Sequence, residues 1–506
     1  MTDRTDGSTT APRTTVWVFG DQLNESIGPL RAAVPGRDTV LVVESRSHLE
    51  RRPWHRQRAH LVLASMRRFV VELRARGFTV DHRTAPTYAA ALAHHRREFG
   101  PERIVAMNPS GFAGRDLLDR LGVELVADER FLTDPDEFRA LFAGKARYTM
   151  ENFYRWQRRR LGYLMDGDEP ATGRWNYDEE NRRPLPRGGV DFPAPVVDPL
   201  DALDAAVVAD LPGNLVGAAP VGLWPTSRTA ALARLRHAIE DVLPRFGPYE
   251  DAMTTTSWHL AHTLLSPALN LGLLHPSEVA DAIEEAWRAG AVDIASAEGL
   301  LRQVIGWREF VWCVYWHEGP AYLDLDELDA ARPLPPAFTG APTAMRCLSH
   351  VLGDVDAYGW THHIPRLMVL GNLALLAGVQ PRALMDWMWE RFVDGAEWVM
   401  APNVIGMALY ADGGVMATKP YAAGGAYIDS MSDFCGKCTF DRKRRTGDNA
   451  CPFTTLYWDF LDRHGERFAR NPRMARQVAS ARKLADMDLV RTRADEVLAR
   501  LDDGRL

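Results

Sequence analysis

Five short runs rich in β-branched residues, at 15–19, 39–44, 79–83, 103–107 and 124–127, alternate with amphipathic stretches, and after residue 229 this β-patterning almost disappears. Such runs read as buried strands. Strands that alternate with helices pair in parallel, because each crossover helix returns the chain to the same end of the sheet. The expectation is a doubly wound α/β domain over 15–130 and an all-α domain over 229–506. A helical segment and a long Pro-, Gly- and Asp-rich linker fill 131–228 between them. Leu61, Met66, Phe69 and Leu73 predict one helix over 48–76, ended by Gly77. In the second domain, helices are expected at 229–243, 277–288, 297–316, 365–377 and 381–392, with two or three more over 456–501. The first strand is followed by Gly20-Asp21-Gln22-Leu23, so the GxGxxG dinucleotide fingerprint is missing, although a ligand could still sit at the strands' carboxyl ends.

The longest nearly uncharged apolar stretch, 367–379, spans 13 residues, short of the ~20 that a membrane helix needs. The Ser/Thr-rich start lacks the apolar core of a signal peptide, which predicts a disordered leader over 1–14 and a cytoplasmic, monomeric protein. A net charge of −7 argues against a surface that coats nucleic acid throughout, yet leaves room for a basic groove. Three clusters offer one: Arg155, Arg158, Arg159 and Arg160; Arg182, Arg183 and Arg187; and Lys437, Arg442, Lys443, Arg444 and Arg445. Solvated helix faces explain such runs more often than phosphate contacts do.

Five cysteines in 506 residues cannot form a disulfide framework. Cys435-Gly-Lys-Cys438 followed by Cys451-Pro452 places three thiols close together in sequence, a pattern for metal or redox chemistry. Closing a tetrahedral site or a cubane needs a fourth sulfur. Cys313 lies in an apolar helical run and reads as core, whereas Cys347 opens a helix after a Pro-rich loop, so Cys347 is the expected fourth ligand. Spacing leaves zinc and iron–sulfur both open, although Cys-Pro after the last ligand is a ferredoxin-type feature.

Three further segments stand out: Leu265-Ser266-Pro267…Gly272, Arg302-Gln303…Trp307-Arg308-Glu309-Phe310 and Gly359-Trp360-Thr361-His362-His363-Ile-Pro-Arg366. Adjacent histidines project about 100° apart on a helix, which excludes the i, i+4 spacing of a zincin and leaves an acid/base role beside Arg366. In this order the segments resemble the FAD-binding helical domain of the photolyase/cryptochrome superfamily. The cysteine set, Phe19-Gly20-Asp21-Gln22-Leu23, Gly173-Arg-Trp175-Asn-Tyr-Asp178 and Glu397-Trp398-Val-Met-Ala-Pro402-Asn403 are similar to its iron–sulfur bacterial branch, the prokaryotic (6-4) photolyases.

That resemblance implies FAD in the helical domain, a 4Fe–4S cluster on Cys347, Cys435, Cys438 and Cys451, and a 6,7-dimethyl-8-ribityllumazine antenna in the α/β domain, held by Asp21, Gln22 and Glu44. It implies UV-damaged DNA as partner, with a (6-4) lesion flipped into a deep pocket beside the flavin. His362 and His363 match the family's His-His, with His363 favoured as proton donor, and Tyr421 matches a tyrosine beside the lesion. Arg366 and Asp394 match the pair flanking the flavin ring, His262, Thr263 and Ser266 a phosphate-binding stretch, and Trp307 and Asn403 fall in cofactor-binding motifs. Asp178 and Asp251 fall on acidic positions associated with Mg2+. The phosphate-contacting set is Arg155, Arg158, Arg159, Arg160, Arg183, Lys437 and Arg444. Two positions depart from the pattern. Met400 replaces the Asn that faces flavin N5, and Phe338 replaces a relay tryptophan, leaving Trp387 as the electron-relay candidate with Trp389 beside it. Light-driven (6-4) repair is the expected function. The alternatives are a blue-light sensor with the same cofactors signalling through a partner, and a zinc- or cluster-bearing nucleic-acid module without photochemistry.

Overall fold

Five parallel strands, β1 (Thr14–Val18), β2 (Thr39–Ser45), β3 (Thr79–Ala85), β4 (Arg103–Met107) and β5 (Glu124–Val126), form one sheet in the order β3-β2-β1-β4-β5. The computed structural model describes residues 13–145, 147–186 and 188–506. The expected leader lies outside the described residues except for Arg13 and Thr14, and Arg187 lies outside them too. In register, Val16 sits between Val40 and Val105. Alternate residues serve opposite faces of the sheet, as the two-residue repeat of a strand requires. Val16, Val18, Val40 and Val42 pack with Leu61 and Phe69, whereas Trp17, Leu41 and Val43 pack with Leu92 and Leu118. The strand order reverses between β1 and β4, so the loops that follow them border a crevice at the strands' carboxyl ends.

The single helix expected over 48–76 is two, Arg46–Glu50 and Arg56–Ala75, separated around Pro53. His55 caps the second, its Nδ1 accepting from the Gln57 amide, while its Nε2 lies 3.0 Å from the Asp356 carbonyl. Gly217, at positive φ, makes that approach possible, because a Cβ there would come within 2.0 Å of His55 Nε2. The region expected to be linker holds a helix, Ala202–Asp210, and a two-residue ladder joining Met165–Asp166 to Glu169–Pro170. Only Val207 and Asp204 of that helix are buried, too few positions for a periodic signal. Arg68 docks it through Asp201 and Asp204.

Past residue 170 the regular elements of the described residues are helices, apart from isolated bridges. One long helix runs through 294–318 with a π-helical stretch at Arg302–Arg308. The end of the chain forms Pro452–Arg463, the single turn Gly465–Phe468, Ala475–Ala481 and Met487–Asp502. Phe138, Phe142 and Phe153, from Pro135–Phe142 and Met150–Leu161, share the core of the helical region with Phe310 and Trp312. No described helix is long and apolar enough to cross a membrane.

Candidate active site

The helical region encloses a cavity of about 780 Å³. His262, Thr263, Ser266, Trp307, Arg366, Asp394, Met400, Asn403 and Tyr421 all line it, as do His362, His363, Asp178 and Asp251. Its firmest corner is an ion pair. Arg366 donates Nη1 and Nη2 to the two Asp394 oxygens at 3.1 and 3.0 Å, Ser266 Oγ donates to Asp394 at 2.7 Å, and Arg366 Nε donates to the Thr361 carbonyl at 2.7 Å. A buried bidentate pair with these added bonds satisfies the charge it buries and holds its geometry. On another wall, Arg308 stacks 4.1 Å from the Phe131 ring centroid and pairs with Glu309, but its Nε and Nη2 are buried without partners. Orphaned donors at a cavity wall suit an occupant rich in acceptors.

His362 precedes and His363 opens the helical stretch that continues through Pro365–Gly371, and they face different surroundings. His362 is buried, its ring stacked on His262 at 4.4 Å, and its Nε2 has no partner. Burial, then the His262, His363 and Arg366 charges, holds its pKa well below the usual value, so it is neutral. Burial lowers His262 likewise, and its Nε2 lies 3.2 Å from the Glu250 carbonyl. His262, expected on a phosphate-binding stretch, therefore belongs to the histidine cluster as a neutral ring. His363 differs: its side chain is 44% exposed, and although the surrounding protein partly desolvates it, the Asp251 hydrogen bond at 3.2 Å and the Asp251 charge outweigh that and raise its pKa. It is the group in this cavity built to hold a proton. Asp178 and Asp251 both pair with Arg182, and Asp251 also with His363, so a Mg2+ ion here would compete with these partners. Asp251→Asn should move the alkaline limb of any His363-dependent reaction to lower pH, because the Asp251 charge and hydrogen bond keep the imidazolium present to higher pH. A pH–yield profile checks this, and an unmoved limb would remove Asp251 from the role.

Cys347, Cys435, Cys438 and Cys451 line one small cavity, and all are free thiols. Cys313 lies apart in the core of Glu309–Glu318. Burial and then the neighbouring sulfurs push Cys347 well up and Cys435 to about 12, so four thiolates cannot share this space without a cation between them. An all-sulfur donor set of this kind suits zinc or an iron–sulfur cluster.

Other expected residues are committed elsewhere. Gln22 Nε2 donates to the Met107 and Asn108 carbonyls, and Asp21 accepts from Ser110 and Arg130. Glu44 is buried; burial would raise its pKa, yet hydrogen bonds from Arg67 and His82 bring it down to about 2. Neither Gln22 nor Glu44 is free to hold an antenna. In the loops after the strands, Phe19, His48, Trp54 and Tyr88 form an aromatic cluster, of which sequence reasoning singled out only Phe19. Arg158 is not a phosphate contact: it is 1% exposed and donates to the carbonyls of Tyr163, Leu164 and Trp175. Arg155 pairs with Glu151 and Arg160 donates to the Leu132 carbonyl, while Arg159 lies over Trp175. Arg183, Lys437 and Arg444 are exposed, with no carboxylate partner among the described residues. Trp387 is buried, donates to the Phe338 carbonyl at 2.7 Å and is not part of the cavity wall, where its neighbour Met388 lies. Trp389 packs on Trp54. Glu250 and Gln303, also missed as site residues, line the cavity beside the histidines.

A family model described as deoxyribodipyrimidine photo-lyase-related protein matches residues 16–215. A (6-4) photolyase of Agrobacterium fabrum is 38% identical over 506 residues, covering 96% of this chain and 99% of that one. The chain belongs to the photolyase/cryptochrome family. Among solved structures, a bacterial class III photolyase from Agrobacterium tumefaciens superposes with a TM-score of 0.59 at 16% identity, covering 99% of this photolyase-family chain and 100% of that one. The Synechocystis sp. PCC6803 cryptochrome gives 0.54 at 14%, covering 83% and 88%. These distant structures share the two-part fold, a parallel sheet followed by a helical region. Family membership implies FAD, and the large cavity with its ion pair and unpartnered Arg308 donors suits such a group.

Proposed function

We propose that this chain is a DNA photolyase that repairs (6-4) pyrimidine–pyrimidone photoproducts in UV-damaged DNA with light. The observation that carries the reading is the His363–Asp251 pair, a held proton on the wall of the same cavity as the Arg366–Asp394 pair. Full-length similarity to a (6-4) photolyase supports it. FAD would be held by Ser266, Trp307, Arg308, Arg366, Asp394 and Asn403. When bound and reduced, it supplies one electron to the lesion under illumination. The remaining work falls to the chain. The apolar walls exclude water from the flipped lesion, His363 delivers a proton to it, and neutral His362 and Tyr421 orient it. Cys347, Cys435, Cys438 and Cys451 would hold a 4Fe–4S cluster, and the crevice at the strands' carboxyl ends, with the aromatic cluster of His48, Trp54 and Tyr88 in the loops that follow the strands, would take the ribityllumazine antenna. The test is light-dependent repair of a synthetic (6-4) oligonucleotide with a cyclobutane dimer as control; repair of neither would sink the reading.

Arg159, Arg183, Lys437 and Arg444 are the surface cations that would meet phosphate. Each phosphate contact removed by an Ala substitution should reduce the slope of log affinity against log salt by roughly 0.9. Binding isotherms at several salt concentrations measure it, and slopes unchanged in all four variants would make these side chains solvated surface only.

A further inference from the structure

Two adjacent acidic residues stand behind the cavity's polar wall, and they do different things. Asp251 holds His363. Glu250, 7% exposed, accepts a 2.7 Å hydrogen bond from Gln303 Nε2 and a longer one, 3.4 Å, from Asn181 Nδ2. The chain makes room for this cluster with glycine. A Cβ on Gly299 would lie 2.6 Å from Asn181 Nδ2 and 3.2 Å from Glu250 Oε2, and one on Gly247 would lie 2.7 Å from Ser296 Oγ and 2.9 Å from Asn181 Oδ1.

A side-chain amide can point either end into a cavity unless a partner decides for it. An ionised carboxylate only accepts, so it takes the NH2 end of Gln303 and leaves the Oε1 of this cavity-lining residue, which makes no hydrogen bond among the described residues, free to accept. An exposed carbonyl oxygen reads an N–H. Of the two rings of a (6-4) adduct, the 5′ ring keeps an imide N–H, while the 3′ pyrimidone presents a bare ring nitrogen. The geometry points to Glu250 as a positioning residue that fixes Gln303 as a hydrogen-bond acceptor for an imide N–H of the flipped nucleotide. This rests on the repair reading above. Burial, with Asp251 and Asp178 nearby and His363 opposing, raises Glu250 to about 7, so the bond is best tested in mildly alkaline buffer, where the group only accepts.

The experiment measures affinity of the holoprotein for a duplex with one thymine–thymine (6-4) adduct against its undamaged twin. Gln303→Leu and Glu250→Leu should each reduce the preference about tenfold, the worth of one desolvated hydrogen bond. Glu250→Gln, whose amide can turn either end to Gln303, should fall between wild type and Glu250→Leu. The double variant Glu250→Leu/Gln303→Leu should be no worse than either single one, because both remove the same bond. Flavin content and melting temperature report folding. Additive losses in the double variant, or a preference that survives Glu250→Leu, would overturn the inference alone. A wild-type protein with no preference for the adduct would overturn the repair reading and this inference with it.

Discussion

His363→Ala should abolish light-driven repair while leaving flavin content and lesion binding in place. Splitting the adduct after electron transfer requires a proton at the lesion. Without a donor the electron returns unproductively, and a positioned general acid contributes on the order of 10²–10⁴-fold. The structure separates the two histidines more sharply than their adjacency does. His363 is paired with Asp251 and raised, so it keeps a proton to higher pH than a free imidazole, whereas burial holds His362 well below its usual pKa. Binding should survive in both variants, because affinity comes from phosphate contacts and from base stacking worth ~1–3 kcal/mol per base. Repaired product per absorbed photon, measured for wild type, His362→Ala and His363→Ala under identical illumination, decides it. Normal repair by His363→Ala with a dead His362→Ala would reverse the assignment, and normal repair by both would end it.

The sheet was legible because its strands are short apolar runs between turns, and all five lie within one to two residues of their expected bounds. The helices of 228–318 were legible by period, although no pattern marks the π-helical stretch at Arg302–Arg308, which depends on packing around the cavity. The cavity residues were found through motif resemblance, and the structure does bring the residues expected to face a flavin, the histidines and Tyr421 to one space. What sequence could not show is where a polar side chain spends its hydrogen bonds. Arg158 reads like its neighbours Arg159 and Arg160, yet the helical turn sends it inward to three carbonyls. Glu44 and Gln22 sit at strand ends as ligand-binding residues do, but Arg67, His82 and two main-chain carbonyls take them first. Glu250 escaped notice because a glutamate before an aspartate carries no motif; its importance comes from Gln303, 53 positions away.

Cys347→Ala should yield protein that has lost its iron and most of its solubility, and so should Ala at Cys435, Cys438 or Cys451, whereas Cys313→Ala should keep its iron. The four converge on one cavity from three separate elements, Arg346–Tyr358, the turn at Cys435–Lys437 and the start of Pro452–Arg463. Without a metal, Cys347, Cys435 and Cys451, whose pKa values burial raises, are protonated thiols that hold these elements together only by packing. Bound metal converts them to thiolates and ties the three elements together, so its binding energy is folding energy, about 10–16 kcal/mol for structural zinc as a measure of scale. That exceeds the 5–15 kcal/mol of a typical domain at its lower end, which is why loss of one ligand should unfold this corner rather than weaken it. Iron and acid-labile sulfide are measured per chain, alongside zinc. Full iron in Cys347→Ala would remove that residue from the site, and zinc in place of iron in the wild type would replace the cluster with a structural ion on the same four sulfurs.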